Sequence, residues 1–308
     1  MKKLKRFVWV SLLLWVAACM PSVPSTAAPT TSPTQAIVSQ PTEAATETDA
    51  NIPAVGLTVE SLKNSSYFSP LCQKTVQLAE GQSVSGECSV TLLPEIAIGD
   101  LNGDQVEDAA VLLAENGGGT GVFVSLVVIA SNGEKFEQVG SYTIDDRPII
   151  HSLIIQDGNV FLEATIHSIN DIMAEPTLSV KEKFGLNNQI LTLTSFSSMI
   201  QGGAERLISL DLPVEGSEIS NPIQIKGSMP IAPFENNLSL AIYDLSGLLL
   251  YQSGFMVNAE NPGEPATFDS NVSVENLPTN TWVWLELSER SMADGSLISM
   301  NSVLVKVR

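Results

Sequence analysis

From about residue 53 onward, apolar and polar residues alternate in short runs separated by turn residues, and this pattern is the strongest constraint on the fold. A period of two places alternate side chains on opposite faces of a β-strand, whereas a helix requires a period near 3.6. Asn132-Gly133 and Asp157-Gly158 favour two-residue hairpin turns, and Asn187-Asn188 tolerates positive φ. The sequence therefore predicts an all-β chain of antiparallel sheets, with a short helix near residues 59–63. Strand candidates before residue 200 are 95–98, 109–114, 122–130, 136–143, 149–155, 160–166, 178–184 and 190–196.

A second run of strands follows a break at Gln201-Gly202-Gly203. Seven short strands within about a hundred residues are what an immunoglobulin-like sandwich needs. We therefore predict two antiparallel β domains, at residues 53–200 and 205–308, the second being an immunoglobulin-like sandwich. Its strand candidates are 207–212, 223–227, 238–243, 248–252, 266–272, 281–287 and 302–307.

The second domain also carries an ordered set of short motifs. They are a proline-containing start (Pro213-Val214-Glu215-Gly216, then residues 220–227), Phe234-Glu235 before a middle strand, Asp244-Leu245-Ser246-Gly247, and a Ser-x-x-Asp-Gly-Ser loop at residues 291–296. This order resembles the immunoglobulin-like domain of bacterial spore-germination lipoproteins, over roughly residues 207–308. The resemblance implies a cell-envelope adhesion or assembly domain, and it brings no catalytic residues with it.

The first nineteen residues predict export. Four basic residues are followed by an apolar run at residues 7–18, which is too short to cross a bilayer core of about 30 Å as a helix. A basic start before a short apolar core is typical of a secretion signal. The run ends in Val16-Ala17-Ala18-Cys19, which resembles the lipobox of bacterial lipoproteins. That resemblance implies cleavage before Cys19 and a diacylglycerol on its sulfur. The alternative is an ordinary secretory signal with an incidental cysteine.

Residues 1–18 are thus predicted to be a lipoprotein signal peptide, and residues 19–52 a lipidated cysteine followed by a linker. The linker is rich in Pro, Thr, Ser and Ala, so it cannot bury enough apolar surface to offset its ordering entropy, and we expect a disordered tether. The expected location is the extracytoplasmic face of the cell membrane, with a lipid anchor.

Charge and cysteine content narrow the partners and the compartment. The net charge is −19, and loss of the four basic signal residues would make it −23. A field of that sign repels nucleic acid, so we expect no nucleic-acid partner. With Cys19 assigned to lipid, Cys72 and Cys88 remain as an even pair in an oxidising compartment, which predicts a disulfide across a hairpin of residues 74–78 and 83–87. The alternative is two free thiols.

One loop carries a metal-type motif. Oxygen donors at loop positions 1, 3, 5, 7 and 9 resemble calcium loops of the EF-hand, dockerin and integrin β-propeller types, and Ca²⁺ prefers six to eight such ligands. Gln105 and Val111 replace the Gly and Glu of an EF-hand, and the flanks are strand candidates, so the strand–loop–strand form fits better. The alternative is a polar hairpin rich in Asx turns. The predicted Ca²⁺ ligands are Asp100, Asn102, Asp104, the Val106 carbonyl and Asp108. The surrounding residues 99–121 also resemble an uncharacterised module of secreted bacterial lipoproteins.

Two tryptophans form a second candidate site. Trp282 and Trp284 share one face of a predicted strand, and Val283, Leu285 and Leu287 share the other. The aliphatic face is the natural core face, which turns the tryptophans outward. They then form either an aromatic patch that binds a sugar or a partner, or a surface that packs under a loop or against the first domain.

Catalytic motifs are weak by comparison. There is no Gly-x-Ser-x-Gly elbow, and the glycines of residues 116–121 lead into a strand candidate, whereas a phosphate-binding loop leads into a helix. His151 and His167 alternate with aliphatic residues on strand candidates, which is typical of structural histidines. We therefore predict a membrane-anchored, non-catalytic envelope protein that binds or scaffolds a cell-wall or envelope protein or a glycan. The alternatives are a calcium-dependent carbohydrate-binding or adhesion protein, and an envelope hydrolase with acidic catalytic residues.

Overall fold

The computed structural model describes residues 56–131, 135–200 and 202–308. The predicted signal peptide, Cys19, the predicted linker and the predicted Asn132-Gly133 turn lie outside the described residues. Within the described ranges the chain forms twenty strands, one five-residue helix and one short 3-10 turn, which confirms the all-β prediction. No helix in these ranges is long and apolar enough to cross a bilayer.

The first domain begins with the predicted short helix, α1 (Val59–Lys63), whose start is fixed by a capping box between Thr58 and Ser61. Strands β1 (Ser66–Ser69) and β2 (Lys74–Gln77) then pair as a separate two-stranded sheet. A five-stranded antiparallel sheet follows in the order β3-β4-β5-β6-β7. Its strands are β3 (Gln82–Ser85), β4 (Cys88–Gly99), β5 (Asp108–Asn116), β6 (Phe123–Ser131) and β7 (Phe136–Asp146).

A second sheet packs on the five-stranded sheet and completes the first domain. Its strands are β8 (Ile149–Gln156), β9 (Asn159–Ile166), β10 (Leu178–Asn187) and β11 (Ile190–Met199). Leu112 and Leu126 from one sheet share a core with Leu162 and Phe184 from the other. The opposite face of the five-stranded sheet packs in a separate core that includes Leu62 and Tyr67. Strands β5 and β6 are therefore buried on both faces, which explains their continuous apolar runs.

The second domain is an immunoglobulin-like sandwich. After the short strand β12 (Glu205–Arg206), which pairs with β11, one sheet has the order β13-β15-β18 and the other the order β17-β16-β19-β20. The short strand β14 runs parallel to β20, and the other pairs are antiparallel. Ile225 and Phe268 from the first sheet pack with Leu240 and Leu285 from the second. The strands are β13 (Ser209–Leu212), β14 (Glu218–Ile219), β15 (Ile223–Met229), β16 (Asn237–Asp244), β17 (Leu249–Met256), β18 (Ala266–Val272), β19 (Trp282–Arg290) and β20 (Leu297–Val307).

The two domains share a sheet. Strand β20 of the sandwich pairs with β11 of the first domain through Ser195 with Asn301 and Phe196 with Met300, so one ten-stranded sheet runs through both. The Met300 side chain is only 2% exposed and lies in the core of the first domain. Next to this joint, the guanidinium of Arg206 forms an ion pair with the buried carboxylate of Glu289. The predicted boundary near residues 200–205 thus separates two sandwiches that are joined by backbone pairing and by the side chain of Met300.

The predicted Cys72–Cys88 disulfide is present, but the hairpin predicted between the two cysteines is wrong. Strand β2 pairs with β1 and strand β3 pairs with β4, and only an isolated bridge at Ala79 and Gln82 joins the two segments. Val76 of β2 is buried opposite the fully buried Tyr67 of β1, so burial of these side chains sets the partner of β2. The disulfide therefore ties the two-stranded sheet to the start of β4.

Candidate functional site

The acidic loop lies between β4 and β5, so the strand–loop–strand prediction is confirmed. Its side chains accept hydrogen bonds from the loop's own backbone. Asp100 Oδ1 accepts from the N–H of Gly103 at 2.7 Å, and Oδ2 accepts from that of Gln105 at 3.0 Å. Asn102 Oδ1 accepts from the N–H of Asp104, and Asp104 Oδ1 from that of Val106. These are consecutive Asx turns, in which a short polar side chain bonds the backbone ahead of it.

Asp108 has a different role from the exposed acids of the loop. It is fully buried, and its two carboxylate oxygens accept from the N–H of Leu101 at 2.8 Å and of Ser131 at 3.0 Å. Burial raises the pKa of Asp108, with the charges of Asp104 and Asp100 adding to the effect, and the two N–H bonds oppose it. Asp108 therefore holds the loop against the end of β6.

The calcium prediction is left open by this geometry. In the described part of the chain, no group of three or more His, Cys, Asp and Glu residues has an arrangement suited to a metal ion. Asp100, Asn102, Asp104, the Val106 carbonyl and Asp108 are brought into one loop, but both oxygens of Asp108 face N–H donors. The Asx-turn alternative describes the observed contacts, and calcium binding stays a prediction.

The tryptophan pair faces outward, as its strand pattern predicts. Val283, Leu285 and Leu287 are fully buried in the sandwich core, while Trp282 is 38% exposed and Trp284 is partly buried. Each tryptophan lines an opening that is also lined by Asn187 and Asn188, at the turn between β10 and β11 of the first domain. The pair thus borders the first domain and is also open to solvent.

A groove of about 390 Å³ opens at this place, and we call it the junction groove. Trp284 lines an adjoining recess that shares Asn187, Asn188 and Leu245 with the groove. The groove is thus walled by residues of both domains. Its main lining side chains are Asn187, Asn188, Glu215, Leu245, Trp282 and Leu304.

Each wall of the junction groove is fixed by local backbone chemistry. Asn188 and Gln189 adopt positive φ of 47° and 64°, which closes the tight turn between β10 and β11. Asp244 Oδ1 accepts from the N–H of Ser246 at 2.8 Å and of Leu248 at 2.9 Å, and this turn holds Leu245 at the groove. The Asp-x-x-Gly motif of the second domain therefore builds one side of the groove.

Glu215 supplies the charged side chain of the groove lining. Its Oε2 accepts from the N–H of Leu304 at 2.9 Å. Burial raises the pKa of Glu215, while the Leu304 N–H and the charge of Lys183 oppose that rise. The carboxylate is thus held in place by β20 and lies near a cation.

Sequence reasoning missed most of this groove. It treated Asn187 and Asn188 only as turn residues, and Glu215 and Leu245 only as parts of family motifs. The pairing of β11 with β20 brings residues 187 and 282 together. Because these strands are far apart in the chain, no sequence signal links the two residues.

The histidines and the deeply buried acids lie elsewhere. The sequence pattern placed His167 on a strand, but β9 ends one residue before it. Its Nδ1 lies 2.8 Å from Asp145 Oδ2, and that hydrogen bond raises the pKa of His167. His151 Nε2 lies 2.8 Å from Thr165 Oγ1. Glu182 is buried in the first domain, where burial raises its pKa to about 8. None of these side chains lines the junction groove.

The second domain is the part of the chain that matches a known protein family. No curated protein matches the chain. The matched family segment is less than a third of the chain, and it ends one residue before β20 begins. It contains Trp282, Glu215 and Leu245 of the junction groove and Trp284 of the adjoining recess, whereas Asn187 and Asn188 lie outside it. Residues 207–296 match the immunoglobulin-like domain of bacterial spore germination, and the second domain is therefore an immunoglobulin-like domain of that type.

Proposed function

We propose that this protein is a non-catalytic binding protein of the cell envelope, which is lipid-anchored through Cys19 and engages an envelope component at the junction groove. The observation that carries the proposal is the position of Trp282 and Trp284 on the non-core face of the sandwich, at a groove between two domains. Aromatic side chains next to polar groups in a concave site are typical of ligand recognition.

Two observations support a location in the cell envelope. The lipobox-like end of the apolar run at Cys19 favours lipid anchoring. The match of residues 207–296 to a domain of bacterial spore germination favours a role at the bacterial surface. A tether of the length predicted for residues 19–52 would let the folded domains reach beyond the membrane surface.

The hydrolase alternative receives less support. Glycoside hydrolysis requires two carboxyl groups that flank the scissile bond, at about 5–10 Å from each other. The junction groove is lined by the carboxylate of Glu215, whereas Asp108, Glu115 and Glu182 are buried away from it. Glu115 accepts from Ser69 Oγ and the N–H of Leu71, contacts that fasten the two-stranded sheet.

The test is co-sedimentation of the full chain, in detergent, with purified cell-wall sacculi of the bacterium that produces it. The double variant Trp282→Ala/Trp284→Ala should raise the Kd for sacculi by about tenfold or more, equivalent to about 1.4 kcal/mol or more of binding free energy. Phe234→Ala is the matched control, because Phe234 is an exposed aromatic of the same domain outside the groove lining.

A fold check and a conservative variant complete the design. Melting curves should show that the double variant remains folded, and Trp284→Tyr should retain most of the binding because it keeps an aromatic ring. Wild-type affinity in the folded double variant would refute the groove as the binding site.

A further inference from the structure

We propose that the junction groove binds an uncharged carbohydrate, stacking a sugar ring on Trp282 and bonding its hydroxyls to Asn187 and Asn188. This inference rests on the proposed function and names the class of ligand. It is carried by the aromatic platform, the free amides, the local charge and the two-domain construction of the groove.

The aromatic platform follows from the strand register. Trp284 of β19 lies opposite Tyr243 of β16 on one side and Leu304 of β20 on the other. Directly opposed residues of antiparallel strands share a face, so these three side chains form one row. Trp282 is the next outward residue of β19. Trp282 is 38% exposed, so part of its indole is open to solvent, and an aromatic ring suits the C–H face of a pyranose ring.

The polar partners come from the other domain. Asn187 and Asn188 both line the groove, and neither amide forms a hydrogen bond with another side chain or backbone group in the described part of the chain. A carboxamide offers two donors and an acceptor, and a sugar hydroxyl is also both donor and acceptor. Because the turn between β10 and β11 is closed by positive φ at Asn188 and Gln189, these amides are held on a short, defined segment.

The charge around the groove favours a neutral ligand. Its lining contains the carboxylate of Glu215 and no lysine or arginine. The charge of Lys183 opposes the rise in the pKa of Glu215, so one cation lies near this carboxylate. An anionic polymer would meet the carboxylate and the strongly negative chain, whose net charge is −19.

The site is complete only with both domains in place. The tryptophans belong to the second domain and the amides to the first, and the pairing of β11 with β20 sets their spacing. None of the residues predicted to bind calcium lines the groove, so sugar binding should persist in a chelator.

The experiment is titration of the full chain with two probes, chitotetraose and cellotetraose, monitored by tryptophan emission. They share pyranose hydroxyls and C–H faces and differ in their N-acetyl groups. A saturable shift in emission with either probe is the expected result. Asn187→Ala and Asn188→Asp should each raise the Kd by roughly tenfold, the effect of losing one hydrogen bond. Asn276→Asp is the matched control, because Asn276 also has positive φ and lies outside the groove lining.

The outcomes separate the two proposals. If sacculi binding requires the tryptophans but neither saccharide shifts the emission, the carbohydrate inference is overturned and the proposed function stands. Saccharide binding that is unaffected by both asparagine variants also overturns the inference, because the amides then play no part. If neither sacculi nor saccharides bind, the proposed function fails as well.

Discussion

Met300 provides a direct test of the coupling between the two domains. Its backbone belongs to β20 of the sandwich, yet its side chain is 2% exposed in the core of the first domain. Truncating a buried methionine to alanine typically costs about 2–5 kcal/mol, as lost burial plus a residual cavity. For a protein of this size, 1 kcal/mol shifts Tm by roughly 2–4 °C. Met300→Ala should therefore lower Tm by roughly 6–12 °C for a central cost of about 3 kcal/mol.

Differential scanning calorimetry of the full chain is the appropriate assay. Because the two domains share a sheet and stabilise each other, we expect a single unfolding transition, and Met300→Ala should shift the whole of it. Met256→Ala and Met292→Ala are matched controls, since these methionines are 63% and 80% exposed. Each control should change stability by less than about 0.5 kcal/mol. Two separate transitions, of which Met300→Ala displaces only that of the second domain, would refute the coupling.

Four further predictions concern the anchor, the loop, the buried acid and the disulfide. Cys19→Ala should release the protein from membranes or block its maturation, and unchanged partitioning into a detergent phase would contradict lipid anchoring. Millimolar calcium should raise Tm by a few degrees relative to chelator, because free calcium at ten times the Kd of the site adds about 1.4 kcal/mol to the free energy of unfolding. Asp104→Ala should abolish this rise. Identical wild-type melting curves with calcium and with chelator would mean that the loop is only a turn. Burial raises the pKa of Glu182 to about 8, above its ordinary value of 4.5, so the folded state keeps a proton that the unfolded state loses. Stability should then fall as pH rises through that window, and Glu182→Gln should flatten the fall in Tm; equal slopes for variant and wild type would contradict this. Replacing Cys72 and Cys88 by serine should cost about 3 kcal/mol in denaturant unfolding, from the loss of a crosslink across 16 positions, and a cost near zero would mean that the unfolded chain is already constrained.

The local structure of this protein could be predicted from its sequence, because alternation and turn chemistry act over a few residues. The predicted strand at residues 266–272 coincides with β18, and the predicted helix at residues 59–63 coincides with α1. Asp157 and Gly158 adopt positive φ at the predicted turn between β8 and β9. The outward direction of Trp282 and Trp284 followed from period two alone.

Strand partners could not be predicted in this way, because pairing depends on the burial of side chains from segments that are distant in the sequence. The pattern around Cys72 and Cys88 suggested one hairpin, yet β2 joined β1 because Val76 is buried opposite Tyr67. The same limit applies to the acidic loop. Its motif gave the positions of the acids, whereas the fold buried Asp108 between the N–H groups of Leu101 and Ser131.

The sequence by itself determined an all-β chain, a disulfide and an outward tryptophan pair, each from residues close together in the chain or from a counted pair of cysteines. Tertiary structure alone decided that the two domains share a sheet and that Asn187 and Asn188 face Trp282 across a groove. The physical reason is that the pairing of β11 with β20 joins residues about a hundred positions apart through backbone hydrogen bonds. Since backbone groups are the same in every residue but proline, such a pairing leaves almost no trace in the side chains that a sequence records.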